Sequence, residues 1–96
     1  MNKLEQRYAE YLSRRVLVGD VSRFLFEKIK FKLAKKTFYT PDFYVVMPDG
    51  MIEIHEVKGF WEDDARVKIK VASEMFREFR WVGVREINKT WSFEEF

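Results

Sequence analysis

A three-residue turn between two β-rich segments constrains the fold of this chain more than any other feature of its sequence. Pro48, Asp49 and Gly50 separate the segments 42–47 and 51–58. Proline suits the first position of a type I turn because its φ is already near −65°, and glycine suits the third position, where φ must be positive. The turn therefore predicts a β-hairpin in which Met47 pairs with Met51.

This register brings three charged residues together. It places Asp42 directly opposite Glu56, and Lys58 points to the same face of the sheet two residues further on. A two-residue loop would instead pair Asp42 with Val57 and turn Glu56 to the other face. Two carboxylates on a largely apolar face repel each other unless a cation lies between them. Lys58 can offset one charge and a divalent cation the rest, so the hairpin predicts a site for Mg²⁺ or Mn²⁺.

Two other interpretations of the same residues involve no catalysis. The three side chains could form a buried Asp–Lys–Glu ion network with a structural role, or they could be solvated at a sheet edge. The hairpin geometry favours the cation site, because a structural network would rarely place like charges opposite each other.

The remaining periodicities predict an α/β domain. Helical spacing over residues 3–15 and 63–79 predicts two helices, and alternation in the second half of 22–33 and over 81–87 predicts further strands. With the hairpin, the order is α-β-β-β-α-β, which is typical of a mixed β-sheet flanked by helices. We expect one domain over residues 1–96, with a core at about 3–87 and a polar, aromatic tail at 88–96.

Composition further narrows the classes of protein to which the chain could belong. The chain has no cysteine, which excludes disulfides and thiolate metal sites and fits a reducing, cytoplasmic environment. No segment is apolar enough to predict a signal peptide or a membrane span. Aromatic residues make up 18 % of the chain, enough for a packed core and for an interface that buries further surface in a homodimer.

A longer pattern around the hairpin resembles a known group of enzymes. Tyr-Thr-Pro-Asp-Phe at 39–43 is followed by the turn at 48–50 and by His-Glu-Val-Lys-Gly at 55–59. This pattern resembles the PD-(D/E)xK nuclease superfamily, and within it small phage endonucleases and Holliday-junction resolvase-like nucleases. The resemblance implies a restriction-endonuclease-like core and, for a phage-encoded protein, a location in the host cytoplasm.

The resemblance also implies roles for individual residues. Asp42, Glu56 and the backbone carbonyl of Val57 would hold Mg²⁺ or Mn²⁺, and Lys58 would orient or activate the attacking water. An acidic residue of the first helix often joins such a site; Glu5 is the candidate and Glu10 the second choice. We read His55, which alternates away from Glu56, as a structural or surface residue on the opposite face.

Basic residues suggest where DNA would lie. Arg66 and Lys70 share one face of the second predicted helix, with Lys68 on the adjacent face. Lys35 and Lys36 belong to a lysine-rich stretch at 28–36. These side chains could contact phosphates; they could equally form a solvated surface.

Taken together, the pattern predicts a Mg²⁺-dependent DNA endonuclease. We expect it to be structure-specific, cutting branched or junction DNA in phage recombination, repair or packaging, and to act as a homodimer. A non-specific nicking nuclease on the same centre, a catalytically silent nucleic-acid-binding module and a protein-interaction domain are the alternatives.

Overall fold

A capped helix opens the fold. The computed structural model describes residues 1–96 and begins with α1 (Lys3–Leu17). The Asn2 side chain accepts a hydrogen bond from the Glu5 amide at 2.7 Å, and Glu5 Oε1 accepts one from the Asn2 amide at 2.8 Å. This reciprocal capping box satisfies two amides that the first turn leaves without helical partners, so Glu5 lies in a well-defined position.

Five strands form one mixed sheet: β1 (Arg23–Phe26), β4 (Phe43–Val46), β5 (Ile52–Lys58), β6 (Arg80–Ile87) and β7 (Thr90–Glu95), in the order β1-β4-β5-β6-β7. Only β5 and β6 run parallel, and α2 (Asp63–Met75) connects them. The other neighbours are antiparallel.

The two faces of the sheet carry separate apolar clusters. Tyr8 and Leu12 of α1 pack against Phe43, Val45 and other side chains of one face. Ile69 and Ala72 of α2 pack on the other face, against a cluster that also includes residues of a small two-stranded hairpin, β2 (Phe31–Ala34) and β3 (Thr37–Tyr39). The sheet is thus a middle layer. Neither helix has the length and apolar character that crossing a bilayer requires.

The predicted class, α/β with a mixed sheet flanked by helices, is confirmed, but the sheet contains more strands than the predicted order α-β-β-β-α-β. Residues 22–33 do not continue one strand: β1 ends before Glu27, whose φ of +50° turns the chain away into the β2–β3 hairpin. The second helix also ends earlier than predicted, at Met75.

Most of the polar, aromatic segment expected as a tail at 88–96 forms the last strand of the sheet. Asn88 and Lys89 both have positive φ, 51° and 59°, as a two-residue hairpin turn of type I′ requires. This turn folds the last residues back onto β6 as β7, and Glu94 and Glu95 form ion pairs with Arg66 and Arg80.

Candidate metal centre

The hairpin has the register that the proline–glycine turn predicts. The Gly50 amide donates to the Met47 carbonyl at 2.9 Å, and the Met47 amide donates to the Met51 carbonyl at 2.8 Å. Gly50 has a φ of +89°, the left-handed conformation that glycine adopts without strain. Phe43 pairs with His55, so the next residue toward the start of β4, Asp42, faces Glu56.

Asp42 and Glu56 form a buried pair in which each carboxylate is held by the backbone beside the other. Glu56 Oε1 accepts a hydrogen bond from the Asp42 amide at 3.0 Å. Asp42 Oδ2 accepts one from the Val57 amide at 2.8 Å. Both residues are only 7 % exposed. The backbone therefore fixes the two acids in place, in addition to the compensation by lysine that the sequence suggested.

The electrostatics of the pair are unfavourable. Burial, followed by the negative charge of Glu56, raises the pKa of Asp42 from 3.8 to about 8, and the hydrogen bond from the Val57 amide opposes this rise only in part. The pair therefore retains a proton near neutral pH. A divalent cation would displace that proton, because it supplies the positive charge that the surroundings lack.

Lys58 lies next to the pair, as predicted. Its Nζ is 3.8 Å from Glu56 Oε2, and its side chain is 38 % exposed. This distance permits an ion pair but no close hydrogen bond. The exposed fraction shows that the side chain of Lys58 remains partly accessible from solvent.

Two further carboxylates reach Asp42 from other elements. One carboxylate oxygen from each of Glu5, Glu27 and Asp42 lies within 4.8 Å of the others. Glu5 comes from the first turn of α1, as the resemblance implies, whereas Glu10 lines a separate surface cavity beside Arg7 and Arg14. Glu56 lies outside this group of three.

Glu27 was missed by the sequence analysis. Its amide donates to the Asp42 carbonyl at 2.9 Å, which places it where β1 ends beside the start of β4. The only local signal was an isolated acid between an apolar strand and a run of lysines. That signal did not indicate that the strand would end beside Asp42.

Tyr39, also missed, contributes a buried hydroxyl group close to the pair. The residue is 6 % exposed and its hydroxyl has no hydrogen-bond partner. Burial and the negative charges of Glu56 and Asp42 raise the pKa of its phenol, so the hydroxyl keeps its proton and is available as a donor. Its position within the quoted Tyr-Thr-Pro-Asp-Phe pattern was the only sequence signal.

The donor set fits a hard divalent cation. Glu5, Glu27, Asp42 and Glu56 offer carboxylate oxygens, the ligands that Mg²⁺ and Mn²⁺ prefer. The unpaired hydroxyl of Tyr39 is a further buried polar group that a filled site could satisfy.

The predicted DNA-contacting residues differ in their surroundings. Arg66 forms a two-point ion pair with Glu94, at 3.0 and 2.7 Å, so its guanidinium group is already engaged. Lys68 and Lys70 are exposed on α2, and Lys35 and Lys36 are exposed at the turn between β2 and β3. None of these four lysines forms a salt bridge.

His55 lies on the face opposite Asp42 and is buried. The Tyr8 hydroxyl is 2.6 Å from His55 Nδ1, and Glu53 Oε1 is 2.8 Å from His55 Nε2. The hydrogen bond from His55 lowers the pKa of Glu53. A cavity of about 520 Å³ on this face, lined in part by Arg15 and Arg80, is separated from the carboxylates by the sheet. His55 thus joins α1 to the sheet, as a structural residue.

Comparison with known proteins gives one match. No curated protein and no solved structure matches the chain. A family model matches residues 2–93, a range that includes α1, the hairpin, α2 and all the carboxylates of the candidate centre. The chain therefore belongs to the family described as Protein of unknown function (DUF1064).

Proposed function

We propose that this protein is a metal-dependent endonuclease that hydrolyses phosphodiester bonds in DNA. The observation that carries the proposal is the buried pair of Asp42 and Glu56, fixed opposite each other with Lys58 Nζ 3.8 Å from Glu56. Like charges directly opposite each other are destabilising in a sheet, and a functional cation site gives a physical reason for their presence. The resemblance to PD-(D/E)xK nucleases agrees with this assignment.

The residues that would hold Mg²⁺ or Mn²⁺ come from separate elements. Asp42 is central, because Glu5 and Glu27 converge on it within 4.8 Å and Glu56 lies opposite. The Val57 carbonyl remains a predicted ligand. A divalent cation bound here would lower the pKa of a water ligand and polarise a phosphoryl oxygen.

The protein side chains supply the rest of the chemistry. On cation binding, Asp42 would release the proton that its raised pKa retains and would become a charged ligand. Lys58 is placed to orient the attacking water or to stabilise negative charge on the phosphate oxygens, since its ammonium group is accessible and adjacent to Glu56.

The lysine-rich segment between Glu27 and Asp42 supports a nucleic-acid substrate. The β2–β3 hairpin lies between Glu27 and Asp42, and the sequence between these two acids contains five lysines and no acidic residue. All five lysines are exposed and none is in a salt bridge. Unpaired positive charge of this kind suits a phosphate backbone.

The same lysine-rich segment supports a second candidate function, a nucleic-acid-binding module without catalysis. A silent module would need the lysines but would gain nothing from a repulsive carboxylate pair, so we favour the nuclease. Structure-specific cutting and a homodimer stay predictions that belong to the first proposal. Sedimentation of the purified protein, alone and with DNA, tests the dimer.

A panel of DNA substrates tests the proposed activity. Labelled four-way junction, flap, duplex and single-stranded DNA would be incubated with the protein in Mg²⁺, in Mn²⁺ and in EDTA. We expect cutting that requires the cation and is lost in Asp42→Asn and Lys58→Ala. Asp49→Asn is the matched control, because Asp49 lies at the far end of the same hairpin and its Oδ1 accepts only from the Met51 amide.

The outcomes separate the candidate functions. Metal-dependent cutting by the control but not by Asp42→Asn supports the nuclease, and preference for junction or flap supports structure specificity. Binding without cutting in either metal supports the silent module. No binding to any of the four substrates contradicts both and favours a protein-interaction domain.

A further inference from the structure

Tyr39 carries a polar group whose burial has no structural explanation. Its ring stacks on Trp81, with centroids 6.3 Å apart and planes 25° apart, in an apolar cluster that also contains Phe31. The hydroxyl is buried and has no partner at normal hydrogen-bonding distance, although the Glu56 carboxylate is near enough to act on it as an acceptor. An unsatisfied buried hydroxyl is destabilising, and most such groups in native proteins have a partner. A phenylalanine would fill the same space without that cost.

The charged groups that raise the pKa of this hydroxyl belong to the candidate metal centre. After burial, the charge of Glu56 raises the pKa of the phenol most and that of Asp42 follows, and Glu56 also acts on the hydroxyl as an acceptor. In the structure, Glu56 Oε1 accepts from the Asp42 amide and Oε2 faces Lys58 at 3.8 Å. Since each carboxylate oxygen has two lone pairs, Glu56 retains acceptor capacity for a further donor.

We propose that Tyr39 is a positioning residue of the metal centre, whose hydroxyl donates a hydrogen bond to the Glu56 carboxylate when the centre holds a divalent cation. The inference rests on the proposed function, because it requires that the centre binds such a cation. It adds a residue that reaches the centre from the β2–β3 hairpin, an element that supplies none of the four carboxylates.

The expected role follows from the effect of residues that hydrogen-bond to metal ligands. A hydrogen bond to a ligating carboxylate fixes its orientation, and its removal typically weakens metal binding about 10- to 100-fold. In the cation-free protein the hydroxyl has no partner at normal hydrogen-bonding distance, so its removal should cost the fold little. It therefore contributes to cation affinity and not to the stability of the free protein.

Two measurements on Tyr39→Phe test this assignment. Mn²⁺ affinity would be measured by calorimetric titration, and thermal unfolding would be followed in EDTA. We expect about 10-fold weaker Mn²⁺ binding with a Tm in EDTA equal to or above that of the wild type. Tyr44→Phe is the matched control, since Tyr44 is a half-buried phenol packed against the same apolar cluster, and its Mn²⁺ affinity should be unchanged.

The opposite pattern would overturn the proposal. Unchanged Mn²⁺ affinity in Tyr39→Phe, whether or not its Tm falls, would give the hydroxyl no role at the centre. Failure of this variant to fold in EDTA would show that the fold itself needs the hydroxyl, and would contradict the proposal too. A wild type that takes up no Mn²⁺ would refute the metal centre as well, so the two failures are distinguishable.

Discussion

Replacing Asp42 by asparagine should make the cation-free protein more stable at alkaline pH. The substitution removes one charge of the buried pair and keeps a side-chain oxygen that can accept from the Val57 amide, as Asp42 Oδ2 does at 2.8 Å. In the wild type, burial and Glu56 raise the pKa of Asp42 from 3.8 to about 8. The folded protein therefore binds this proton more tightly than the unfolded chain does.

The sign and size of the effect follow from linkage. Because the folded-state pKa is raised, the contribution of Asp42 to stability is fully present below about pH 4 and is lost as the pH rises through about 8. At about 1.4 kcal/mol per pKa unit, the loss between pH 5 and pH 8 is at most about 4 kcal/mol. Sharing of the proton with Glu56 and relaxation of the site reduce it, and we expect about 2 kcal/mol, or a Tm change on the order of 10 °C for a domain of this size.

Thermal unfolding in EDTA at pH 5 and pH 8 measures the difference directly. The wild type and the Asp49→Asn control should both lose stability over this range, and Asp42→Asn should lose about 2 kcal/mol less. Addition of Mn²⁺ at pH 8 should raise the Tm of the wild type and the control only. A wild type that becomes more stable relative to Asp42→Asn as the pH rises would show that folding does not raise the pKa of Asp42.

Three further predictions concern other parts of the molecule. Lys58→Ala should reduce cleavage at least about 100-fold without weakening Mn²⁺ binding; weaker Mn²⁺ binding in calorimetry would contradict its assignment to the chemical step. Replacing Lys35 and Lys36 together by alanine should weaken DNA binding and reduce the slope of log K against log salt by about 2; an unchanged slope would exclude them from phosphate contact. Tyr8→Phe should cost about 1–3 kcal/mol in chemical denaturation, because it leaves buried His55 Nδ1 unpaired; changed Mn²⁺ affinity in this variant would argue against a purely structural role.

The hairpin could be predicted from sequence because its geometry is local. The turn residues Pro48 to Gly50 determine the loop length, the loop determines the register, and the register places Asp42 opposite Glu56. The helical periods that predicted α1 and α2 are equally local. The role of Glu5 could be predicted only from the resemblance, because the sequence around Glu5 does not indicate where the first helix packs.

The features that the sequence did not predict depend on contacts between distant segments of the chain. Glu27 joins the centre because its amide donates to the Asp42 carbonyl where β1 ends beside β4. Arg66 pairs with Glu94 because the turn at Asn88 and Lys89 folds the last residues back as β7. Neither residue of that turn is a glycine, the usual marker of such a hairpin, so sequence alone did not indicate the strand that engages Arg66.

The most direct test of the metal centre is anomalous diffraction from crystals of the protein grown with Mn²⁺. We expect an anomalous peak within coordination distance of the Asp42 carboxylate, on the side where Glu5 and Glu27 converge on it, with the Tyr39 hydroxyl hydrogen-bonded to Glu56. Crystals of Asp42→Asn under the same conditions should lack the peak. A well-ordered wild-type centre without manganese, or manganese bound only elsewhere on the protein, would show that these carboxylates do not form a metal centre.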